Sequence, residues 1–195
     1  MNISGKNIGI ALTGSYCTFD KVFPQVEALV KENANVYTIF SYQSQNTDTR
    51  FGKAIDFLRQ AKDITGREPI TTITEAEKLG PNNILDAVLV APCTGNTLAK
   101  MANGITDSPV LMASKGLLRN SKPVILAIST NDALGNNLKN IGLLLNAKNI
   151  YFVPFCQDNY KGKPHSMVAR FELILVTIEN ALEGCQQQPI IMAPN

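Results

Sequence analysis

Small and hydroxyl-bearing residues follow a short apolar run near the N-terminus. The run Ile8–Leu12 leads directly into Thr13, Gly14, Ser15 and Thr18. A glycine lets the backbone approach a ligand closely, and hydroxyl groups beside a helix N-terminus favour a bound anion. This first loop therefore predicts a site for a phosphate-bearing or otherwise anionic ligand. The same residues would also serve simply to cap a helix, and the loop lacks the three glycines of the dinucleotide fingerprint.

Two later loops repeat this combination of small, hydroxyl and amide side chains. The second loop consists of Pro92, Cys93, Thr94, Gly95, Asn96 and Thr97, and the third loop contains Ser129, Thr130 and Asn131. The amide of Asn96 can both donate and accept hydrogen bonds, which suits the edge of a ring or a carboxylate. Asn96 is therefore the candidate catalytic residue, and helix capping is the alternative interpretation of both loops.

A serine and a polar segment follow the second apolar run. Ser41 comes directly after that run, and Tyr42–Thr49 is long enough to cover a bound ligand. Arg50 and Lys53 would add positive charge there, although a solvated helix start is the favoured explanation for both. Ser41 is thus a further candidate for ligand binding.

The cysteines and the single histidine do not assemble into a reactive site. Cys17, Cys93 and Cys156 each fall just past a predicted strand, and Cys185 lies near the C-terminus. There is no Cys-x-x-Cys pair and no histidine close to a cysteine in the sequence, so we predict no metal site and no thiol nucleophile. The cysteines are interpreted as small residues tolerated in a tight crevice. His165 is expected in an exposed loop or a subunit contact.

Five short, nearly uninterrupted apolar runs must position these loops. They are Ile8–Leu12, Val36–Phe40, Ala87–Ala91, Val124–Ile128 and Ile150–Val153. Such runs are typical of strands buried on both faces, and their alternation with helical segments predicts a parallel sheet. The predicted fold class is α/β, a three-layer Rossmann-like (flavodoxin-like) doubly wound sheet. Its ligand should lie at the carboxyl ends of the strands where the strand order reverses, between the first and second loops.

The helices are predicted from apolar residues spaced about 3.6 apart and from capping residues. The first expected helix carries Phe19 to Val30 and either starts late or bends at Pro24. The second runs from Thr47 or Asp48 to Gly66, and a short third one has a capping box at Thr74 and Glu77. Three more are expected at Thr97–Ala102, Ala133–Asn146 and Met167–Leu182. The apolar tail from Pro189 to Pro194 is expected either to dock on another subunit or to pack strand-like on its own domain.

Composition narrows the class of protein. The 195 residues carry a net charge of +2 spread along the chain, which predicts a single domain spanning residues 1–195 and argues against a nucleic-acid partner. No run is apolar for long enough to cross a membrane, so a cytoplasmic protein is expected. Charged residues make up only 17%, which indicates that some surface is buried against other chains.

The second loop resembles the signature of a known superfamily. Residues 91–100 read Ala-Pro-Cys-Thr-Gly-Asn-Thr-Leu-Ala-Lys. This looks like the Pro-Ala-Ser-Ala-Asn-Thr motif and Ala-Lys helix of the homo-oligomeric flavin-containing cysteine decarboxylase superfamily. Residues 13–19, 129–135 and 149–155 resemble one branch of it, the B chains of dipicolinate synthases from spore-forming bacteria. The resemblance covers nearly the whole chain.

This resemblance implies a flavodoxin-like fold assembled into trimers or larger homo-oligomers. It also implies bound FMN, or only phosphate or another anion in its place. In the superfamily the first loop and the serine after the second strand hold the FMN phosphate, which points to Gly14, Ser15 and Ser41. The asparagine-threonine pair lies near the flavin ring or the substrate, which points to Asn96 and Thr97.

Membership of the branch would imply a specific reaction. The chain would act with an A chain, which binds NAD(P), in oxidising a dihydrodipicolinate-type precursor to pyridine-2,6-dicarboxylate. This would take place in the cytoplasm of the mother cell during sporulation.

Two departures bear on the activity. The superfamily decarboxylases carry Pro-x-Met-Asn-x-x-Met-Trp after the fourth strand, whereas residues 128–135 keep only Asn131 of that stretch. Their histidine between the second and third strands is also absent, because His165 is the sole histidine. Cysteine decarboxylation is therefore disfavoured. An FMN-dependent decarboxylase and a non-catalytic partner that stabilises the A chain are kept as alternatives.

Overall fold

The centre of the protein is a mostly parallel β-sheet flanked by helices. A computed structural model describes residues 3–194. The strands found there are β1 (Asn7–Leu12), β2 (Asn35–Phe40), β3 (Ala87–Cys93), β4 (Val124–Thr130), β5 (Ile150–Phe152), β6 (Phe155–Cys156) and β7 (Met167–Ala169). All five predicted strands are present, and the predicted α/β fold class is confirmed.

The strand order places a reversal at the centre of the sheet. β1 lies between β2 and β3, and β4 follows β3, with all four strands parallel. β5 pairs with the first half of β4, whereas β7 runs antiparallel to Ser129 and Thr130 at its end. The chain therefore moves outward on one side of β1 and then on the other. The crevice beyond β1 and β3 is where a doubly wound sheet binds its ligand.

Eight α-helices are found among the described residues. They are α1 (Phe19–Lys31), α2 (Tyr42–Asn46), α3 (Ala54–Thr65), α4 (Ile73–Glu77), α5 (Gly95–Ala102), α6 (Pro109–Arg119), α7 (Leu138–Leu145) and α8 (Ile174–Leu182). The sequence patterns do not predict α6. Short 3₁₀ turns precede α1 and α8.

The alternating side chains of β3 show why the fold has three layers. Ala87 and Leu89 point into a core shared with α1 and α8. Val88 and Val90 point into the opposite core, which also receives Leu98 of α5. Because successive strand residues face opposite sides, a run that is apolar at every position needs helices on both faces.

The predicted final helix begins too early. Residues Met167–Ala169 form β7 rather than the first turn of α8, because they pair with both the end of β4 and β6. The chain then turns at Arg170, whose backbone N–H donates to the Pro154 carbonyl at 2.7 Å, and α8 starts only at Ile174. Tertiary pairing here overrides an apolar spacing that also fits a helix.

Several predicted helix starts are also wrong. α3 begins at Ala54, although the predicted Asp48 does contribute a carboxylate oxygen that accepts from the Ala54 N–H at 2.9 Å. The capping box consists of Thr72 and Glu75, where both reciprocal bonds form, rather than Thr74 and Glu77. α5 begins at Gly95 instead of Thr97, and residues 133–137 form turns before α7. Of the two alternatives for the first helix, the late start is wrong, because α1 begins at Phe19 and contains Pro24.

The C-terminal tail packs strand-like on its own domain. The Phe155 N–H donates to the Ile190 carbonyl and the Met192 N–H donates to the Phe155 carbonyl, each at 3.0 Å. The side chain of Ile191 nevertheless stays 66% exposed. Within residues 3–194, no helix combines the length and the apolar character needed to span a bilayer.

Candidate functional site

A buried threonine joins the first and second loops. The Thr13 hydroxyl donates to the Pro92 carbonyl at 2.6 Å and accepts from the Thr94 N–H at 3.2 Å. These two bonds cross 79 and 81 residues of sequence, respectively. The two loops therefore face each other across the crevice, as their positions at the ends of β1 and β3 predict.

A second hydroxyl contact brings the third loop into the same site. The Oγ atoms of Ser15 and Ser129 lie 2.7 Å apart. Ser129 is part of β4, two strands away from β1 in the sheet. The ends of β1, β3 and β4 are thus linked by direct hydrogen bonds between residues of the three predicted loops.

Two adjoining cavities open beside these contacts and meet at Gly14 and Thr94. The first, here called the β4-side cavity, has a volume of about 340 Å³. It is lined by Gly14, Ser15, Cys17, Thr18, Thr94, Ser129, Thr130, Asn131, Asp158, Lys163, Ser166, Met167 and Val168. The second, the β2-side cavity, has a volume of about 400 Å³. It is lined by Thr13, Gly14, Ser41, Tyr42, Gln43, Thr94, Asn96, Thr97, Lys100, Asp107, Ser108 and Leu111.

Nothing within the described chain requires a glycine at position 14. Its φ lies outside the left-handed region, and an added Cβ would meet Gln43 Cγ at 3.4 Å, an ordinary contact distance. The missing side chain instead leaves open the junction of the two cavities. The fold therefore places no demand on Gly14 that alanine could not meet, and the open junction leaves room for a group to approach the backbone there.

Several of the predicted hydroxyl groups also cap helices. Ser41 accepts from the Ser44 N–H at 3.2 Å, and Thr94 accepts from the Thr97 N–H at 3.3 Å. The Thr18 hydroxyl differs, because it donates to the Ser15 carbonyl at 2.9 Å and makes no cap bond to α1. Capping and ligand binding are thus compatible at Ser41 and Thr94, because both line a cavity as well.

Gly95 is needed for packing. A Cβ on Gly95 would lie 2.5 Å from Asn137 Nδ2 and 2.7 Å from both Asp132 Oδ1 and Thr130 Oγ1. The Thr130 hydroxyl donates to Asp132 Oδ1 at 2.5 Å, which holds this turn together. Pro92, Cys93 and Gly95 line neither cavity, whereas the other members of the three loops each line at least one.

The two site asparagines lie on different sides of the junction. Asn96 is exposed in the first turn of α5 and lines the β2-side cavity, while Asn131 is exposed after β4 and lines the β4-side cavity. The first N–H groups of a helix have no carbonyl partner within it, so the start of α5 offers backbone donors beside the Asn96 amide. This arrangement suits the recognition of polar ring edges and anions.

A tyrosine links the first loop to the segment after β2. Tyr16 donates its hydroxyl proton to the Gln43 carbonyl at 2.6 Å. Partial burial raises the pKa of this phenol, and a side-chain hydrogen bond with Thr47 opposes the shift. The polar segment Tyr42–Thr49 is thereby held beside the β2-side cavity, to which Tyr42 and Gln43 contribute. Arg50 and Lys53 are exposed and line neither cavity.

The Cys93 thiol and the histidine are unsuited to catalysis here. Cys93 is buried, and burial raises the pKa of its thiol, which disfavours the nucleophilic thiolate. Cys17 is exposed, with its Sγ 3.9 Å from Ser15 Oγ. His165 is exposed and lines neither cavity. Among residues 3–194, no group of three or more His, Cys, Asp or Glu side chains is arranged to hold a metal ion.

Sequence patterns miss a set of charged lining residues. Asp158, Lys163 and Ser166 come from the connection between β6 and β7, two strands too short to leave a periodic signal. Lys100 and Asp107 line the β2-side cavity and form an ion pair at 2.6 Å. Two signals could have pointed to Lys100, namely its place one helical turn after Asn96 and its match to the lysine of the Ala-Lys helix in the resemblance.

Comparisons with known proteins show the family of this chain. Residues 1–179 match the protein family described as Flavoprotein. The chain belongs to the flavoprotein family. It is 50% identical over 191 residues to the dipicolinate synthase B subunit of Bacillus subtilis (strain 168), an alignment that covers 98% of this chain and 96% of that protein.

Solved structures of other proteins share the architecture. The crystal structure of the dipicolinate synthase B subunit from Bacillus halodurans C superimposes with a TM-score of 0.92 and 48% identity, covering 100% of both chains. The FMN-dependent cysteine decarboxylase SpaF superimposes with a TM-score of 0.65 and 19% identity, covering 93% of this chain and 99% of that chain. At this lower identity the likeness establishes the fold alone.

Proposed function

We propose that the chain is the flavin-binding B subunit of a dipicolinate synthase. Together with an A chain it would oxidise a dihydrodipicolinate-type precursor to pyridine-2,6-dicarboxylate. The observation that carries this proposal is the 50% identity to the Bacillus subtilis protein, which extends over 96% of that protein. Because the alignment covers both chains almost completely, it includes the loops of the crevice.

The crevice fits FMN. Gly14 leaves open a junction that an added methyl group would narrow, and the two cavities beside it have volumes of about 340 Å³ and 400 Å³, within the range of small-molecule sites. The residues that would hold FMN are Thr13, Gly14, Ser15, Thr18, Ser41, Thr94, Asn96 and Thr97. Hydroxyl groups, an amide and free N–H groups at helix starts are suitable donors for a phosphate and for a flavin ring edge. Bound FMN would supply a two-electron acceptor.

The proposed oxidation requires the protein mainly to orient the ring and to exclude water. Aromatisation of a dihydropyridine ring removes two electrons and two protons, and the gain in aromatic stability supplies much of the driving force. The chain's own part is to orient the ring and to keep water away from it. Asn96 is positioned for the first task, because its exposed amide lies at the start of α5 within the β2-side cavity. NAD(P) on the A chain would accept the electrons in turn.

The proposed function also involves partner chains and a cellular location. The A chain and further copies of this chain, in a trimer or larger homo-oligomer, would cover part of its surface. Exposed apolar side chains on α7 support such contacts, since Leu138 is 52% and Leu143 59% exposed. The enzyme would work in the cytoplasm of the mother cell of a sporulating bacterium.

Flavin content tests the cofactor directly. The purified chain is denatured, and the released small molecules are identified by visible absorption and mass spectrometry. Release of FMN, or tight uptake of added FMN by the native chain, is the expected result. A protein that neither releases nor takes up FMN would refute the flavin assignment. Release of carbon dioxide from a peptidyl cysteine substrate would favour the decarboxylase alternative.

A further inference from the structure

The β4-side cavity carries one cation among the described residues. Lys163 lines this cavity, and Asp158 is the one anion in the same lining. The side chain of Lys163 is exposed and takes part in none of the ion pairs found within residues 3–194. A lysine with an unpaired ammonium at the wall of a cavity is available to bind an anionic ligand.

The backbone around Lys163 is held in place by the fold. Its N–H donates to the Asn159 carbonyl at 2.7 Å, and its carbonyl accepts from the Ser166 N–H at 3.0 Å. The Leu134 N–H donates to the His165 carbonyl at 3.0 Å, which ties this loop to the segment after β4. The backbone of Lys163 is therefore held beside the cavity without any ligand.

We propose that Lys163 binds one carboxylate of the dicarboxylate substrate and so determines the preference for a doubly charged ring. This inference rests on the proposed function. The rest of the cavity wall provides neutral hydroxyl groups, the Asn131 amide and the Asp158 carboxylate. Asp158 repels an anion, which makes Lys163 the one charged group in that wall able to attract the substrate. The FMN phosphate is the other anion of the crevice. The resemblance assigns it to Gly14, Ser15 and Ser41, of which Ser15 lines the β4-side cavity with Lys163 and Ser41 lines the β2-side cavity, so the test below also measures FMN affinity.

Binding measurements on the FMN-loaded complex with the A chain test this assignment. Calorimetric titrations compare pyridine-2,6-dicarboxylate with the neutral pyridine-2,6-dicarboxamide in wild type, Lys163→Met and Lys161→Met. Lys161 is the matched control, because it lies in the same loop and lines neither cavity. Its Nζ instead lies 5.9 Å from the centroid of the Tyr160 ring. For Lys163→Met we expect dicarboxylate binding about fivefold weaker, in keeping with an exposed ion pair. Binding of the diamide and of FMN should not change.

The charge of Asp158 provides an opposite test. Asp158→Asn removes the repulsion, so the dicarboxylate should bind more tightly than to wild type. Unchanged dicarboxylate binding by Lys163→Met would overturn the inference, as would a loss of FMN affinity, which would assign Lys163 to the flavin phosphate. If the wild-type complex binds no dicarboxylate, the proposed function itself fails and the inference fails with it.

Discussion

Ser15 and Ser129 share a hydrogen bond of 2.7 Å although 114 residues separate them along the chain. Ser15 follows β1 and Ser129 belongs to β4, and β3 lies between these strands in the sheet. The bond therefore spans the crevice above the end of β3. Together with the Thr13 contacts to Pro92 and Thr94, it fixes the spacing of the loops before any ligand binds.

Adding a methyl group at position 14 should impair flavin binding without harming the fold. Gly14→Ala places a Cβ 3.4 Å from Gln43 Cγ, so the free energy of unfolding should stay close to that of wild type. The same group narrows the junction of the cavities, and the Kd for FMN should rise by about tenfold or more, since a poorly accommodated methyl group costs ~1–3 kcal/mol. Fluorescence titration of FMN measures this.

A matched variant controls for the general effect of replacing glycine by alanine. Gly142 in α7 has no atom within 4 Å of an added Cβ. Gly142→Ala should bind FMN as wild type does and gain slightly in stability, because alanine is the better helix former. Equal FMN affinity in Gly14→Ala and wild type would show that no ligand passes close to Gly14.

Removing the Thr13 hydroxyl should loosen the crevice. Thr13→Val leaves the partly buried Thr94 N–H without its acceptor and the buried Pro92 carbonyl without a donor, at a cost of about 1–3 kcal/mol. Urea denaturation should show this loss, and FMN affinity should fall with it. Thr177→Val is the comparison, since that buried hydroxyl donates only to the Leu173 carbonyl one turn earlier in the chain. It should lose stability but keep its FMN affinity.

Gly95 should tolerate no side chain, for a reason unrelated to the ligand. In Gly95→Ala the Cβ would press on Asn137 Nδ2 at 2.5 Å and on the Asp132 carboxylate at 2.7 Å. We expect a loss of about 1–3 kcal/mol in the free energy of unfolding. Gly135→Ala serves as the control, because its nearest contact would be the Asp132 carbonyl at 3.4 Å. Similar stabilities for these two variants would contradict the packing described for Gly95.

The fold was largely predictable because its strands are buried on both faces. Runs such as Val124–Ile128 leave a strong apolar signal, and the observed β4 extends it only to Thr130. Prediction from the sequence was wrong where pairing between distant segments decides the structure. Met167–Ala169 fits an apolar helix pattern, yet it is a strand because β4 and β6 lie beside it.

The candidate site was predictable in its glycines and hydroxyls but not in its charges. Gly14, Ser15 and Thr94 stand out because small polar residues directly follow apolar runs. Lys163 and Asp158 lie in a loop with no periodicity, and only the fold brings that loop to the end of β4. The opposite case is Gly95, whose sequence context suggests ligand approach whereas its surroundings demand close packing.

The buried thiol of Cys93 should make stability depend on alkaline pH. Burial raises the pKa of this group, while in the unfolded chain a thiol ionises at about pH 8.5. Because the pKa of the Cys93 thiol is higher in the folded chain than in the unfolded chain, burial of the neutral thiol contributes fully to the free energy of unfolding below about pH 8.5. This contribution is lost as the pH rises above that value. Between about pH 8 and pH 10 the free energy of unfolding, measured by urea denaturation, should therefore fall less in Cys93→Ala than in wild type. Replacement of the exposed Cys185 by alanine should leave the wild-type profile unchanged.

The central claim is that this chain binds and orients the ring that is oxidised. Its most direct test is the rate of pyridine-2,6-dicarboxylate formation by the A chain, NAD(P) and precursor, measured without this chain, with wild type and with Asn96→Ala. We expect little product without the chain and full activity with wild type. With Asn96→Ala, in a complex that still assembles, kcat should be at least about tenfold lower, since an oriented polar group contributes about 10² or more in well-studied sites. Equal turnover with wild type and Asn96→Ala would contradict a catalytic role for the second loop and would favour a chain that only stabilises its partner.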